Sequence, residues 1–180
     1  MLAVGFGLLK LLDYSNAPST GATPPTKWPE SSTLVKHPDR LTVVMLAHPQ
    51  CPCTRASIGE LAIAAAQAAG RLDINVVFLE SPAFELKSDL WRSALEIPNT
   101  TVIADPDGAE IHRFGVKASG HTLVYDAEGR LAFSGGIVSS RGHAGANFGR
   151  EAIVELARSG RLSARSSPVF GCALQSRDLR

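Results

Sequence analysis

Two continuous apolar runs, LTVVMLA at Leu41–Ala47 and LDINVVFL at 72–79, constrain this chain more than any other feature. Runs rich in Val, Leu and Ile without polar alternation are what strands buried on both faces look like. Between them, residues 54–69 place Ile58, Leu61, Ala62 and Ala65 at the spacing of one buried helical face, and Gly70 can end that helix. A strand, a helix and a second strand in this order predict a parallel βαβ unit. A short helix is expected over 88–95, with Ser88 as its N-cap, and a third strand over 100–104. Asp105-Pro106-Asp107-Gly108 reads as a turn by its residue chemistry, and 109–114 as a helical turn. Residues 121–125 and 130–134 alternate and are joined by Asp126-Ala127-Glu128-Gly129, which predicts a hairpin. A Gly-rich loop, 135–149, leads to a helix over 150–158 with Ile153, Leu156 and Ala157 on one face and Gly160 after it. Alternation early and a hairpin late predict a mixed central sheet with helices on both faces.

At 180 residues the chain has room for one domain with its own core. Eighteen Lys and Arg balance seventeen Asp and Glu, so no basic excess points to nucleic acid. Four segments are expected: 1–14 as a hydrophobic anchor or signal remnant, 15–34 as a Pro/Ser/Thr-rich linker, 35–160 as the folded domain, and 161–180 as an irregular tail. Residues 1–12 (MLAVGFGLLKLL) are too few for the roughly 20 apolar residues of a spanning helix. No basic residue precedes them as in a signal peptide. They read as the end of an N-terminal anchor or as a short amphipathic or buried helix.

The chain has three cysteines, Cys51, Cys53 and Cys172. The first two flank Pro52 between the end of a buried strand and the start of a helix. Free backbone N–H groups and the positive end of the helix dipole stabilise a thiolate there. Pro52 suits the first helical position, which needs no N–H, and Arg55 adds positive charge to the first turn. Because the thiolate is the nucleophile of disulfide exchange, the placement favours redox chemistry. A metal site and a pair of small buried hydrophobes are the alternatives.

The strand LTVVMLA, then HPQCPCTRAS, a helix and LDINVVFLE resemble the first βαβ unit of the thioredoxin superfamily. SGHTLVYDAEGRLAFSGGI resembles that fold's C-terminal hairpin, and FGV and TVIADPDG are similar to its exported TlpA-like and peroxiredoxin-like branches. HPxCPCTRAS with SGHTLxYD, SGGIxxxRGH and a terminal PVFGC resembles a little-characterised group of bacterial proteins sometimes called RedB-like. The resemblance covers about residues 41–160. It implies a thioredoxin-like three-layer α/β/α sandwich with a mixed central sheet. It also implies thiol–disulfide oxidoreductase activity on protein thiols or disulfides, a membrane anchor at the N-terminus and a location facing the periplasm or cell exterior, with no cofactor. Two departures stand out: Cys-x-Cys replaces Cys-x-x-Cys, and the cis-proline register falls on Gly120 or His121.

Cys51 is expected to be the exposed attacker and Cys53 the resolving thiol. The resemblance places His121 beside them, as a base, as a third metal ligand with Cys51 and Cys53, or as a histidine that hydrogen-bonds the loop. His48 has the same ambiguity. Cys172 is either a spare thiol or a third redox cysteine whose Pro168-Val169-Phe170 anchors it at the site. The loop holding Arg141, His143 and Asn147 reads as a partner surface or a plain loop. It has neither a phosphate-loop nor a dinucleotide fingerprint, and no Gly-x-Ser-x-Gly elbow supports a serine hydrolase. Beside the redox reading stand a metal-binding or metallochaperone module and a non-catalytic interaction domain.

Overall fold

The structure is a computed structural model and describes residues 16–82 and 86–174; the expected N-terminal anchor, 1–14, lies outside them. Six strands form one sheet: β1 (Leu41–Ala47), β2 (Leu72–Glu80), β3 (Thr100–Pro106), β4 (His121–Tyr125), β5 (Leu131–Gly135) and β6 (Ser166–Ser167). Their order is β3-β2-β1-β4-β5-β6. β1, β2 and β3 are parallel, β4 is antiparallel to β1, and β5 is antiparallel to β4. The helices are α1 (Pro52–Gln67), α2 (Asp89–Leu95), α3 (Ala109–Arg113) and α4 (Phe148–Ser159). Expected and observed elements agree to within about two residues, apart from the tail.

Val43, Met45 and Ala47 of β1 face Ile58 and Leu61 of α1, Leu90 and Ala94 of α2, and Ile153 and Ala157 of α4. Val44 and Leu46 face the other way, toward Ile111 of α3, Phe114, Leu123 and Tyr125. The continuous apolar run of β1 thus serves both layers, because successive side chains of a strand point to opposite faces. The two layers are unequal. Three helices cover one face, whereas a single five-residue helix stands on the other.

Residues 16–34 complete that second face. They form no long strand or helix, and they lie on the domain instead of leaving it. Thr23 N–H donates to Gly115 O at 2.9 Å, Trp28 N–H to Gly129 O at 2.7 Å, and Leu131 N–H to Thr26 O at 2.9 Å. Trp28 stands edge-on to Phe114 and Tyr125, with centroids 5.3 and 5.2 Å away. The Tyr125 hydroxyl donates to Pro25 O at 3.0 Å. The composition read as a linker therefore describes a strap over apolar surface that α3 is too short to cover.

The tail also departs from irregularity. β6 pairs parallel with β5 and extends the sheet edge. Residues beyond it bridge Val169 to Ser19 and Ala173 to Ala118. This path runs from the sheet edge to the start of α1.

Candidate functional site

Cys51 is the N-cap of α1, in extended conformation at φ −80° and ψ 121°, and Pro52 follows at the helix start. No acidic residue lies in the first turn, so the positive helix end has no carboxylate to meet it. The backbone N–H groups of Cys53 and Thr54 are turned to the Cys51 sulfur instead. Strand β1 ends at Ala47, and the turn between strand and helix is held by Cys51 N–H donating to His48 O at 3.2 Å. His48 therefore works through its backbone and its ring in this turn: Nδ1 accepts from Gln50 N–H at 3.1 Å.

A closed ring of hydrogen bonds fixes the turn to the loop before β4. His48 N–H donates to Ser119 Oγ at 2.9 Å. Thr54 Oγ1 donates to His48 O at 3.1 Å. With that proton committed, Ser119 Oγ donates to Thr54 Oγ1 across 2.6 Å. Ser119 then carries the tail, because its N–H donates to Cys172 O at 2.8 Å. Nothing in the local sequence around Ser119 marks this role, and only the pairing of distant segments shows it.

All three cysteines are free thiols, and they meet. The Cys172 thiol hydrogen-bonds the Cys51 sulfur. This is the largest influence on Cys51; burial opposes it, and N–H groups of Cys172, Thr54 and Cys53 reinforce it, bringing the Cys51 thiol down to about 4. A buried charge is sustainable only where such donors replace water. Cys53 moves the other way, through burial first and then the charge and hydrogen bond of Cys51, with the Gly142 N–H and Arg141 opposing. Cys172 moves strongly up because it keeps its proton in the bond to Cys51, with burial adding and Arg141 opposing. The surroundings thus favour the anion at Cys51 and the protonated form at Cys53 and Cys172.

The expectation of an exposed attacker is corrected: Cys51 is 2% exposed and Cys53 7%. The tail is the cause. Arg141 Nη1 donates to Gly171 O at 2.8 Å, and Ser19 Oγ to the same oxygen at 3.0 Å. Phe170 packs on Ala56 of α1 and on Val138. A Cβ at Gly171 would stand 1.8 Å from Ser119 O, so only glycine lets the tail approach this closely.

Arg55 and His121 are also placed differently from expectation. Arg55 is exposed and lines a surface groove with Ile58, Ala62 and Leu90. The cation that acts on the cysteines is Arg141. His121 pairs with Leu46 in the sheet register and shares the face of Leu123 and Tyr125, whereas α1 packs on the opposite face. Its Nε2 lies 2.8 Å from Ser134 Oγ, and burial brings the imidazole down to about 4. It is a buried, neutral histidine of the sheet. A metal set of Cys51, Cys53 and His121 is therefore not assembled, and among the described residues no cluster of three or more His, Cys, Asp or Glu is placed to hold a metal. The backbone at Gly120 and His121 is trans, like every described peptide bond.

The Gly-rich loop is anchored at several points. Buried Glu60 of α1 accepts from Gly145 N–H at 2.6 Å and Asn147 Nδ2 at 3.3 Å, and pairs with Arg150. Asn147 caps α4, its side chain accepting from Arg150 N–H at 2.8 Å. His143 Nδ1 lies 2.8 Å from Arg141 O. The loop thus delivers Gly142 and Arg141 to the cysteines from a fixed base.

No family model matches the chain, and no curated protein matches it. Among solved structures it is similar to an uncharacterized conserved protein from Geobacillus kaustophilus, with 14% identity, 90% of this chain and 93% of that one covered, and a TM-score of 0.62. A hypothetical protein from Sinorhizobium meliloti 1021 matches with 19% identity, 89% and 96% covered, and a TM-score of 0.62. The pneumococcal exposed lipoprotein thioredoxin from Streptococcus pneumoniae strain TIGR4 matches with 20% identity, 67% and 84% covered, and a TM-score of 0.47. The two matches with a TM-score of 0.62 speak to the fold alone, and with the strand order and helix layers described it is an α/β/α sandwich with a mixed central sheet.

Proposed function

We propose that this chain is a thiol–disulfide oxidoreductase acting on protein thiols or disulfides through Cys51. The observation that carries this reading is the Cys51 sulfur at the N-cap of α1, with N–H groups of Cys53, Thr54 and Cys172 and the Cys172 thiol directed at it, donors that favour a thiolate. A thiolate attacks a disulfide sulfur, and an adjacent thiol must then displace the substrate. Cys53 and Cys172 both stand beside Cys51 as candidates for that thiol, and Pro52 sets the helix start. The motifs shared with RedB-like proteins and the apolar residues 1–14 support a membrane-tethered protein facing the periplasm or cell exterior, a compartment where disulfides persist.

Equilibration of the full chain in glutathione buffers of graded ratio, followed by counting of free thiols, tests the reading. The expected result is a cooperative two-electron transition in which two thiols are lost together, abolished in Cys51→Ser. The same variant is expected to lose disulfide reduction in an insulin assay. Three thiols that oxidise independently, with Cys51→Ser matching the unmodified chain, would leave a non-catalytic interaction domain.

A further inference from the structure

We infer that Cys172, and not Cys53, resolves the mixed disulfide formed on Cys51, so that the C-terminal tail is both the resolving arm and the lid of the site. The inference rests on the redox reading of Cys51. Both thiols lie beside the Cys51 sulfur, and what separates them is the backbone each bridge demands.

Cys53 is committed to the helix. Thr54 N–H donates to Cys51 O at 3.0 Å, and Cys53 O accepts from Ser57 Oγ at 3.2 Å. Cys51 is the extended N-cap and Cys53 the second residue of the helix, so a bridge between them closes a small ring across Pro52, inside the turn that Thr54 N–H ties to Cys51 O. The strain of that small ring falls on the first turn of α1 and on the hydrogen-bond ring through Thr54, Ser119 and His48. A Cys51–Cys172 bridge leaves that turn intact. Cys172 arrives on a separate segment already oriented by Ser119 N–H, and Leu174 N–H donates to Lys117 O at 2.9 Å just beyond it.

The same segment closes the site. Substrate cannot reach a sulfur that is 2% exposed until the tail around Phe170 and Cys172 lifts. It is held by local contacts and not by a helix or a long strand: Phe170 on Ala56 and Val138, two donors on Gly171 O, Ser119 N–H on Cys172 O, and the bridges of Val169 to Ser19 and Ala173 to Ala118. Local opening of such a segment costs far less than global unfolding.

In the reductive direction, the Cys51 thiolate attacks one sulfur of the substrate disulfide. That S–S bond breaks, a Cys51–substrate disulfide forms, and the departing thiolate takes a proton from water. Cys51 then carries no charge, so the acceptor that held the proton on Cys172 is gone, while Arg141 still favours the anion. Cys172 releases its proton to water and attacks the Cys51 sulfur. The second substrate thiolate leaves, and two electrons have passed from Cys51 and Cys172 to the substrate. An external dithiol reductant restores the pair, and the reverse sequence oxidises a substrate dithiol.

The experiment treats the reduced full chain and its Cys53→Ser and Cys172→Ser variants with one equivalent of oxidised glutathione, alkylates free thiols, and maps the products by mass. Expected are a peptide pair linking Cys51 to Cys172 in the unmodified chain and in Cys53→Ser, with Cys53 alkylated in the former. In Cys172→Ser, glutathione is expected to remain on Cys51 in most molecules. In reduced Phe170→Ala, which keeps all three cysteines, alkylation of Cys51 is expected to quicken about tenfold as the lid loosens. A Cys51–Cys53 bridge with Cys172 alkylated, or full release of glutathione by Cys172→Ser, would overturn the inference and leave the redox reading standing. No bridge to Cys51 in any form would sink both.

Discussion

Cys51 shows how a residue type acquires chemistry from its place. An ordinary thiol titrates near 9.0, and here donors converge on the sulfur and bring it to about 4. Between those two values the folded protein binds fewer protons than the unfolded chain. Stability of the reduced protein therefore rises with pH across that window, and Cys51→Ser is expected to flatten the rise in urea melts taken at successive pH values. Above 9.0 the sign reverses, because Cys53 and Cys172 keep protons that unfolded thiols release. His121 adds a second dependence. Burial holds its folded value near 4 against 6.5, so stability falls as pH drops from 6.5 toward 4. In His121→Gln that part of the acid loss is expected to vanish, while the Cys51 part remains. The place of Cys51, at a strand end and ahead of a proline at the helix start, was legible. Of the readings of His121, its placement beside the cysteines fails: its partner, Ser134, lies on another strand, and strand position alone does not say which face a side chain shares with the cysteines.

Elements were legible where periodicity is local. β1, β2 and α1 follow from apolar runs and a 3.6-residue face, and the hairpin follows from its Asp-Ala-Glu-Gly turn. Connections between elements were not. Glu60 lies one position before Leu61 on α1, is 1% exposed, and holds the loop of Gly145, Asn147 and Arg150, a segment about 85 residues away. Removing one partner of a buried pair leaves the other charge uncompensated, so Glu60→Ala is expected to cost about 3 kcal/mol. A lower urea midpoint at unchanged slope would confirm it. Because this loop carries Gly142 and Arg141 to the cysteines, the same variant is expected to raise the titration midpoint of Cys53. Loss of stability with no change at Cys53 would separate the loop from the site.

For the whole molecule, the unequal layers decide what the terminal segments do. Three helices bury one face of the sheet, and the other relies on α3, the strap 16–34 and Leu174. Trp28 is the strap's main contact, standing against Phe114 and Tyr125. Trp28→Ala is expected to lose about 3 kcal/mol, near the lower end for large aromatic truncations because Trp28 is only partly buried. Circular dichroism melts would show a lowered Tm, and an unchanged Tm would mean that the strap is dispensable. Strand and helix order, the buried βαβ unit and the activated position of Cys51 were all readable from residues near in sequence, because periodicity, turn chemistry and helix-end electrostatics are short-range. The strap, the Ser119 ring and the arrival of Cys172 over Cys51 were decided only in three dimensions. Each depends on which apolar surface the sheet leaves uncovered and on hydrogen bonds between segments far apart in the chain, and no local pattern encodes either.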